Sequence, residues 1–311
     1  MRRRTLLAAV AAPATLRVGP ARGAAPLPVV VSFSVLGDIV RQVAGDRPSE
    51  LVSLVGPDAD AHGFQPRPSD VERLRGAAVV VRNGLGFDGW MDRLLRSSGF
   101  GGVLVTAADG VTPRRMEGGP GHAGHAHGAG RRAGAAVPDP HAWGDPRNAM
   151  TYARSIAAGL AAADAPNAAL YRRNAEDYAA RLAALHEGLR AAVAAVPEAR
   201  RRVVTSHDAF GYTGDAYGIR FLAPQGPSTT GEASAGDVAA LIRRIRAEGI
   251  TAVFVENMSG PATLERLARE AGVRVSGKLY ADALSAPDGP APTYEALMRH
   301  NVGLMVAAMG G

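Results

Sequence analysis

Residues 167–196 read NAALYRRNAEDYAARLAALHEGLRAAVAAV, and this stretch decides the architecture of the chain. Its large apolar residues are three, four or once seven positions apart, which is the spacing of one helical face. They are Tyr171, Tyr178, Leu182, Leu185, Leu189, Val193 and Val196. A helix of this length would be about 45 Å long, which is more than one small domain needs. We therefore predict a single long, rigid helix that spans two lobes.

Strands and helices alternate on both sides of this helix. Short apolar segments rich in β-branched residues predict strands at 28–33, 50–55, 78–81 and 103–106 before it, and at 202–205, 219–222, 251–255 and 273–276 after it. Between and after them, helices are predicted at 36–44, 69–75, 89–97, 146–163, 235–247, 261–271 and 293–308. Such alternation implies mainly parallel sheets covered on both faces. The predicted fold class is therefore α/β, with two β/α lobes and a cleft between them.

The N-terminal sequence predicts that the protein is exported. Arg2, Arg3 and Arg4 precede a short apolar segment at 6–16, and small residues follow at 21–23, as in a cleaved signal peptide. The arginine pair loosely resembles a twin-arginine signal; a frayed cytosolic N-terminus is the alternative. The predicted boundaries are a signal peptide at 1–23, a first lobe at 24–165, a linking helix at 166–197 and a second lobe at 198–311.

Charge and cysteine content exclude several classes of function. The net charge of +6 comes largely from five arginines before residue 24, because the remaining 30 basic and 29 acidic residues nearly cancel. No footprint for nucleic acid is left. The absence of cysteine excludes disulfides, thiolate metal sites and cysteine nucleophiles. It also excludes a lipid-anchored cysteine, so we expect a protein free in the periplasm.

Two kinds of histidine lie close together in the middle of the chain. His141 lies in DPHAWGDP (residues 139–146), between prolines that restrict the backbone. His122, His125 and His127 lie among glycines in a loop at about 110–137, where nothing restricts it. A rigidly placed imidazole suits a tight metal site, and the loop suits weak, exchanging metal contacts.

Three further polar residues follow predicted strands or loops: His62, His207 and Asp282. Ligand sites of parallel β/α folds gather at the carboxyl ends of strands, so these residues and His141 are candidate metal ligands. A single histidine is more often surface or core filler, and the spacing contains no local motif such as His-Glu-x-x-His. Residue positions alone therefore leave a metal site and coincidence both open.

Several blocks, in the same order, resemble the zinc/manganese substrate-binding proteins of bacterial ABC transporters, whose two lobes are joined by one long helix. The blocks are 60–70, 83–90, 139–146, 206–212, 253–256 and 279–285. The resemblance implies that His62, His141, His207 and Asp282 hold the metal in the cleft between the lobes. It also implies a monomer that serves a membrane permease with its cytoplasmic ATPase, with a periplasmic zinc chaperone as a further partner. Ala61 stands where the family often has proline, which would loosen the loop of His62 slightly.

The implied ligand set favours zinc. Three imidazoles and one carboxylate suit four-coordinate Zn²⁺, whereas Mn²⁺ prefers more oxygen ligands. The alternatives are a manganese-specific binding protein, a zinc hydrolase with Asp208 or Glu256 as general base, and a metal-independent adhesin or scaffold. Among the other residues, His186 and His300 are expected at the surface, and Trp90 and Trp143 in packing. Asp139, Asp145 and Asp208 would either orient imidazoles or cap turns.

Deleting residues 118–130 should separate the two kinds of metal contact. We expect the tight equivalent of zinc to remain and the additional weak equivalents to disappear, because only the loop histidines are lost. Equilibrium titration of the apo protein measures both, and the full-length chain carrying His300→Ala is the control. An unchanged stoichiometry would count against metal binding by the loop.

Overall fold

The first lobe is built on a four-stranded parallel sheet. A computed structural model describes residues 26–116, 137–231 and 233–310. The sheet has the order β2-β1-β3-β4. Its strands are β1 (Pro28–Phe33), β2 (Glu50–Val55), β3 (Val79–Arg82) and β4 (Val103–Thr106), and its first three helices are α1 (Ser34–Ala44), α2 (Pro68–Gly76) and α3 (Trp90–Ser98).

Two short strands and two helices lead out of the first lobe. The strands β5 (Arg115–Met116) and β6 (Val137–Pro138) pair antiparallel, and helix α4 (Pro146–Ala163) follows. Helix α5 (Ala168–Ala194) is the long predicted helix, with 27 residues and a length of about 40 Å. It packs against α1 and α4.

The second lobe repeats the design of the first. Its parallel sheet has the order β10-β9-β7-β8. Its strands are β7 (Arg202–Val204), β8 (Arg220–Leu222), β9 (Ala252–Glu256) and β10 (Val275–Leu279), and its helices are α6 (Gly211–Tyr217), α7 (Ala235–Glu248), α8 (Ala262–Ala271) and α9 (Tyr294–Gly310). The long helix also packs against α6 and α9, so it contacts both lobes. The predicted fold class is confirmed.

The apolar core follows this arrangement. One cluster of buried residues runs from the first sheet through α5 to α9, and a smaller cluster lies beneath α7 and α8. In each sheet the first strand has neighbours on both sides, which are reached by crossovers in opposite directions. Such a switch point opens a crevice at the carboxyl ends of the strands. Among the described residues, no helix is both long and apolar enough to cross a membrane.

Several predicted details were wrong at the level of single elements. Helix α2 begins at Pro68, so Ser69 and Asp70 lie in its first turn, and the Asp70 carboxylate accepts the backbone N–H of Arg67 at 2.8 Å. Helix α6 was missed because two of its seven residues are glycines. Strand β10 begins two residues later than predicted and ends at Leu279.

Asp164 holds the corner between α4 and α5. Its carboxylate accepts hydrogen bonds from the Tyr171 hydroxyl and from the Asn167 side chain at 2.9 Å, and it pairs with Arg47 at 2.8 Å. Burial alone would raise the pKa of Asp164, but these three partners lower it below its ordinary value. The interactions of the charged carboxylate therefore stabilise the start of the long helix.

We expect Asp164→Asn to lower the free energy of unfolding by about 1.5–3 kcal/mol at neutral pH, because hydrogen bonds to a charged group are lost. Since the folded-state pKa is the lower one, the contribution is full above the unfolded pKa. It fades as the pH falls through the folded value, so the two proteins should converge in acid. Urea unfolding across pH measures this, with Asp177→Asn on the exposed face of α5 as control. A pH-independent difference would contradict the account.

Candidate metal centre

Four of the seven predicted site residues converge on one point. Each of His62, His141, His207 and Asp282 offers a ligand atom, and these atoms all lie within 4.8 Å of one another. His122, His125 and His127 fall outside the described residues. The fold brings these four residues together although they are far apart in the sequence, as their predicted positions after strands or loops indicated.

Each of the four residues lies in a loop on the cleft side of its lobe. His62 lies in the loop between β2 and α2, and His141 lies between β6 and α4. His207 follows β7 by three residues and forms a parallel bridge with Gln225. Asp282 follows β10 by three residues, closer to its strand than the sequence suggested. The first two therefore come from the first lobe and the last two from the second.

The three imidazoles point their Nε2 atoms towards the carboxylate of Asp282. Oδ2 lies 3.2 Å from Nε2 of His62 and 3.2 Å from Nε2 of His207, and Oδ1 lies 3.7 Å from Nε2 of His141. The Nε2 atoms of His62 and His141 are 3.3 Å apart.

These short distances do not satisfy the buried polar atoms. Nε2 of His207 and both oxygens of Asp282 are buried, and they have no hydrogen-bond partner of good geometry among the described residues. The side chains of His207 and Asp282 are fully buried, and that of His62 is 6% exposed. Buried donors and acceptors left unpaired are destabilising, and a shared cation would satisfy them together.

Two carboxylates each bond to the Nδ1 atom of one imidazole and thereby fix its ring. Asp139 Oδ1 lies 2.9 Å from Nδ1 of His141 and also accepts the backbone N–H of that residue at 3.0 Å. Glu256 Oε2 makes a short hydrogen bond with Nδ1 of His207, while Oε1 accepts the backbone N–H groups of Ser206 at 2.9 Å and His207 at 3.1 Å. A proton held on Nδ1 leaves the lone pair of Nε2 for a metal.

Sequence reasoning found one of these carboxylates and assigned the other wrongly. Asp139 was a candidate for orienting an imidazole, whereas Glu256 was considered only as a general base. The relation of Glu256 to His207 depends on β9 lying beside β7 in the sheet, and 49 residues separate the two. Asp145 takes the capping alternative, because it accepts the backbone N–H of Arg147 at 2.9 Å at the start of α4.

Burial and charge act in opposite directions on the central groups. Burial lowers the pKa of His62 below its ordinary value, since the charged imidazole loses its hydration. Burial would also lower the pKa of His207, but the Glu256 and Asp282 carboxylates raise it well above the usual range. Burial would raise the pKa of Asp282, but the imidazoles of His207 and His141 hold it well below the usual range. These effects couple an ionised Asp282 carboxylate to a protonated His207 imidazole, and a cation bound at the centre would replace that proton.

Both tryptophans hold the backbone next to the site. The indole N–H of Trp90 donates to the carbonyl of Ala61 at 3.0 Å, and that of Trp143 donates to the carbonyl of Ala281 at 3.1 Å. Ala61 and Ala281 directly precede His62 and Asp282. The predicted packing role is confirmed, since both rings are buried, and each ring also fixes the position of one candidate ligand.

The remaining two histidines lie away from the four. His186 is buried, with Nδ1 3.2 Å from the Tyr217 hydroxyl, so the predicted surface position was wrong. The helical periodicity gave no sign of this, because Tyr217 is 31 residues away. His300 lies on α9, with Nε2 3.0 Å from the carbonyl of Lys278.

Comparison with known proteins assigns the chain to a family. Residues 29–308 match the family described as ZnuA, zinc-uptake complex component A, periplasmic. The chain belongs to this family. The match spans both lobes and includes all four converging residues.

Relatives of this ZnuA-type chain carry different metals in their names. The manganese-binding lipoprotein MntA of Halalkalibacterium halodurans is 30% identical over 91% of this chain and 88% of its own length. The iron-binding protein YfeA of Yersinia pestis is 31% identical over 94% and 89%. The periplasmic zinc-binding protein TroA of Treponema pallidum superposes with a TM-score of 0.80 at 26% identity, over 93% of this chain and all of that one. The family is therefore one of extracytoplasmic metal-binding proteins, and the names do not agree on one metal.

Glu256→Gln should weaken metal binding without removing a ligand. We expect an affinity for the metal that is about 10–100-fold lower, because the amide that replaces the carboxylate no longer gives His207 a charged partner to orient its imidazole. Competition titration against a chelator of known affinity measures this. Asp145→Asn is the matched control, since Asp145 bonds to Arg147 and not to an imidazole. Equal affinities of the Glu256→Gln variant and the wild type would show that Glu256 does not orient a ligand.

Proposed function

We propose that the protein captures Zn²⁺ in the periplasm and delivers it to an ABC permease with its cytoplasmic ATPase. The first lobe supplies His62 and His141, the second supplies His207 and Asp282, and the ion bridges the cleft. The observation that carries the proposal is the set of three Nε2 atoms gathered on one buried, unpaired carboxylate. Such a nitrogen-rich set suits zinc.

Glu256 supports zinc through its position. It is a carboxylate beside the site that could enlarge its share of oxygen ligands, yet both of its oxygens are engaged by His207 and by backbone N–H groups. The donors facing the ion therefore remain three nitrogens and one carboxylate.

Manganese is the second candidate, and the carboxylate itself favours it. Neither oxygen of Asp282 has a hydrogen-bond partner among the described residues, and both oxygens face the imidazoles. If both bound the ion, the coordination number would rise to five and the oxygen share would increase, which suits Mn²⁺ better than a four-coordinate shell does. The name of the manganese-binding relative agrees with this alternative.

We propose that the protein binds the metal and does not catalyse a reaction with it. A zinc hydrolase keeps one position open for water and needs a base beside it. Here a fourth protein ligand is available, and Glu256, a candidate base, is bonded to His207. Several relatives are named as substrate-binding proteins of metal or iron ABC transporters.

The proposal includes partners and location. We propose a monomer that acts in the periplasm and accepts zinc from a periplasmic chaperone, with the loop of His122, His125 and His127 as a weak secondary metal site. Some relatives are named as lipoproteins, whereas this sequence contains no cysteine that could carry a lipid. Release from cells by osmotic shock, without detergent, tests the proposed location.

Competition between zinc and manganese tests the function. We expect one tight equivalent of Zn²⁺ that excess Mn²⁺ does not displace, and zinc in protein isolated from its own compartment. His141→Ala should lower zinc affinity by more than the roughly 10–100-fold expected when an outer partner is lost. The control variant His300→Ala, which changes a histidine away from the centre, should bind zinc with the affinity of the wild type.

The possible results separate the candidates. Displacement of zinc by stoichiometric manganese, or manganese in the isolated protein, would replace zinc with the second candidate. Unchanged affinity in the His141→Ala variant would refute the proposed centre itself.

A further inference from the structure

A separate cavity of about 220 Å³ lies between the lobes, beside the four candidate ligands and not among them. Its walls come from the loop that carries His62, the loop that carries His207, the segment between β8 and α7, and the segment that leads into α8 together with the first turn of that helix. Asp60, Ser206, Gln225, Thr229, Ser259 and Thr263 supply polar groups to it. By the same volume measure, one water needs about 10–15 Å³, so the cavity has room for a cation with its shell of waters.

The cavity touches the residues that lead directly to two candidate ligands. Asp60 precedes His62 by two positions, and its Oδ1 accepts the backbone N–H of His62 at 2.8 Å. Ser206 directly precedes His207. Among the four converging side chains, His62 has the largest exposed fraction, at 6%, so it is the most accessible of them.

The chemistry of the walls favours a hydrated cation. Among the described residues that line the cavity, Asp60 is the only charged one, and the other polar groups are hydroxyls and an amide. Hydroxyl and carboxylate oxygens accept hydrogen bonds from the waters of a hydrated cation. The Ser206 hydroxyl is buried and has no partner among the described residues, so it is available to such a water.

Asp60 also joins the two lobes at this point. Its Oδ2 accepts the hydroxyl of Thr229, in the second lobe, at 2.7 Å. The carboxylate is thereby held at the boundary between the cavity and the loop of His62. A cation attracted to it would lie beside the most accessible of the candidate ligands.

We propose that this cavity is a second, transient binding site, in which a hydrated divalent cation docks at Asp60 before it loses water and passes His62 to the buried centre. The proposal rests on the proposed function, since it gives the route to that centre. It assigns Asp60, Ser206 and Thr229 to the capture of the ion and not to its final coordination.

Filling the cavity tests the route. Thr263 and Gly260 line it and are both exposed, and a Cβ atom at Gly260 would meet nothing within 4 Å, so Thr263→Phe and Gly260→Leu should fold. We expect at least a roughly tenfold slower association of Zn²⁺ in stopped-flow measurements with a chelating dye. Dissociation should slow by the same factor and Kd should stay within about twofold, because both directions cross the same barrier. Ala262→Phe, on the neighbouring exposed position of α8 outside the lining, is the matched control.

Removing the charge tests the docking point. In Asp60→Asn, the amide can still accept from the His62 N–H and can donate to the Thr229 hydroxyl. We expect association to slow about tenfold at low salt and the difference to shrink as ionic strength rises, because electrostatic attraction is screened.

Each result decides the proposal. The proposed route would be overturned if Thr263→Phe and Gly260→Leu left the association rate unchanged, whether or not Kd changed. Neither result would contradict tight zinc binding by the wild type. Binding of inorganic phosphate that Thr263→Phe abolishes would assign an anion to the cavity and would also overturn it. A wild-type chain without any tight divalent cation would refute both this inference and the proposed function.

Discussion

A buried carboxylate that finds no hydrogen-bond partner in the described part of the chain is the constraint on which the cleft depends. Both oxygens of Asp282 are removed from water, and such a charge is stable only beside an opposite charge. Three imidazoles from three other segments surround it. They meet because the carboxyl ends of two parallel sheets face one crevice, and because α5 packs on α1 and α4 on one side and on α6 and α9 on the other.

The rigidity of the centre is not the same at every ligand. His141 and His207 are each fixed by a carboxylate at Nδ1, and Trp143 holds the carbonyl next to Asp282. His62 has its ring packed edge-on against Phe87, 4.7 Å between centroids, and its loop is anchored at the backbone. Of the four candidate ligands, His62 is therefore the least buried, and in the described part of the chain no carboxylate is seen to hold its Nδ1 as Asp139 and Glu256 hold those of His141 and His207.

The sequence predicted those features that depend on neighbours along the chain. Pro28–Phe33 and Pro146–Ala163 have the predicted bounds, and Gly249 and Gly272 end their helices with positive φ. Features that depend on distant partners were missed or misassigned. His186 is buried because Tyr217 comes from another helix, and Glu256 orients His207 because their strands are neighbours in the sheet. Periodicity carries no information about such pairs, whereas positions after strands or loops made the four converging residues candidates, and the resemblance to a family then implied that they act together.

The fold does not decide which metal is carried. Relatives that align along most of this chain are named for manganese and for iron, and a similarly folded protein is named for zinc. The affinity of a nitrogen and oxygen site for divalent metals follows a general order, so selectivity must come from geometry and from metal supply. In the proposed centre, an ion bound by one oxygen of Asp282 would have four ligands, and an ion bound by both oxygens would have five. The hydrogen bond from Trp143 to the Ala281 carbonyl restricts the backbone next to Asp282, so it is a contact through which selectivity would be set.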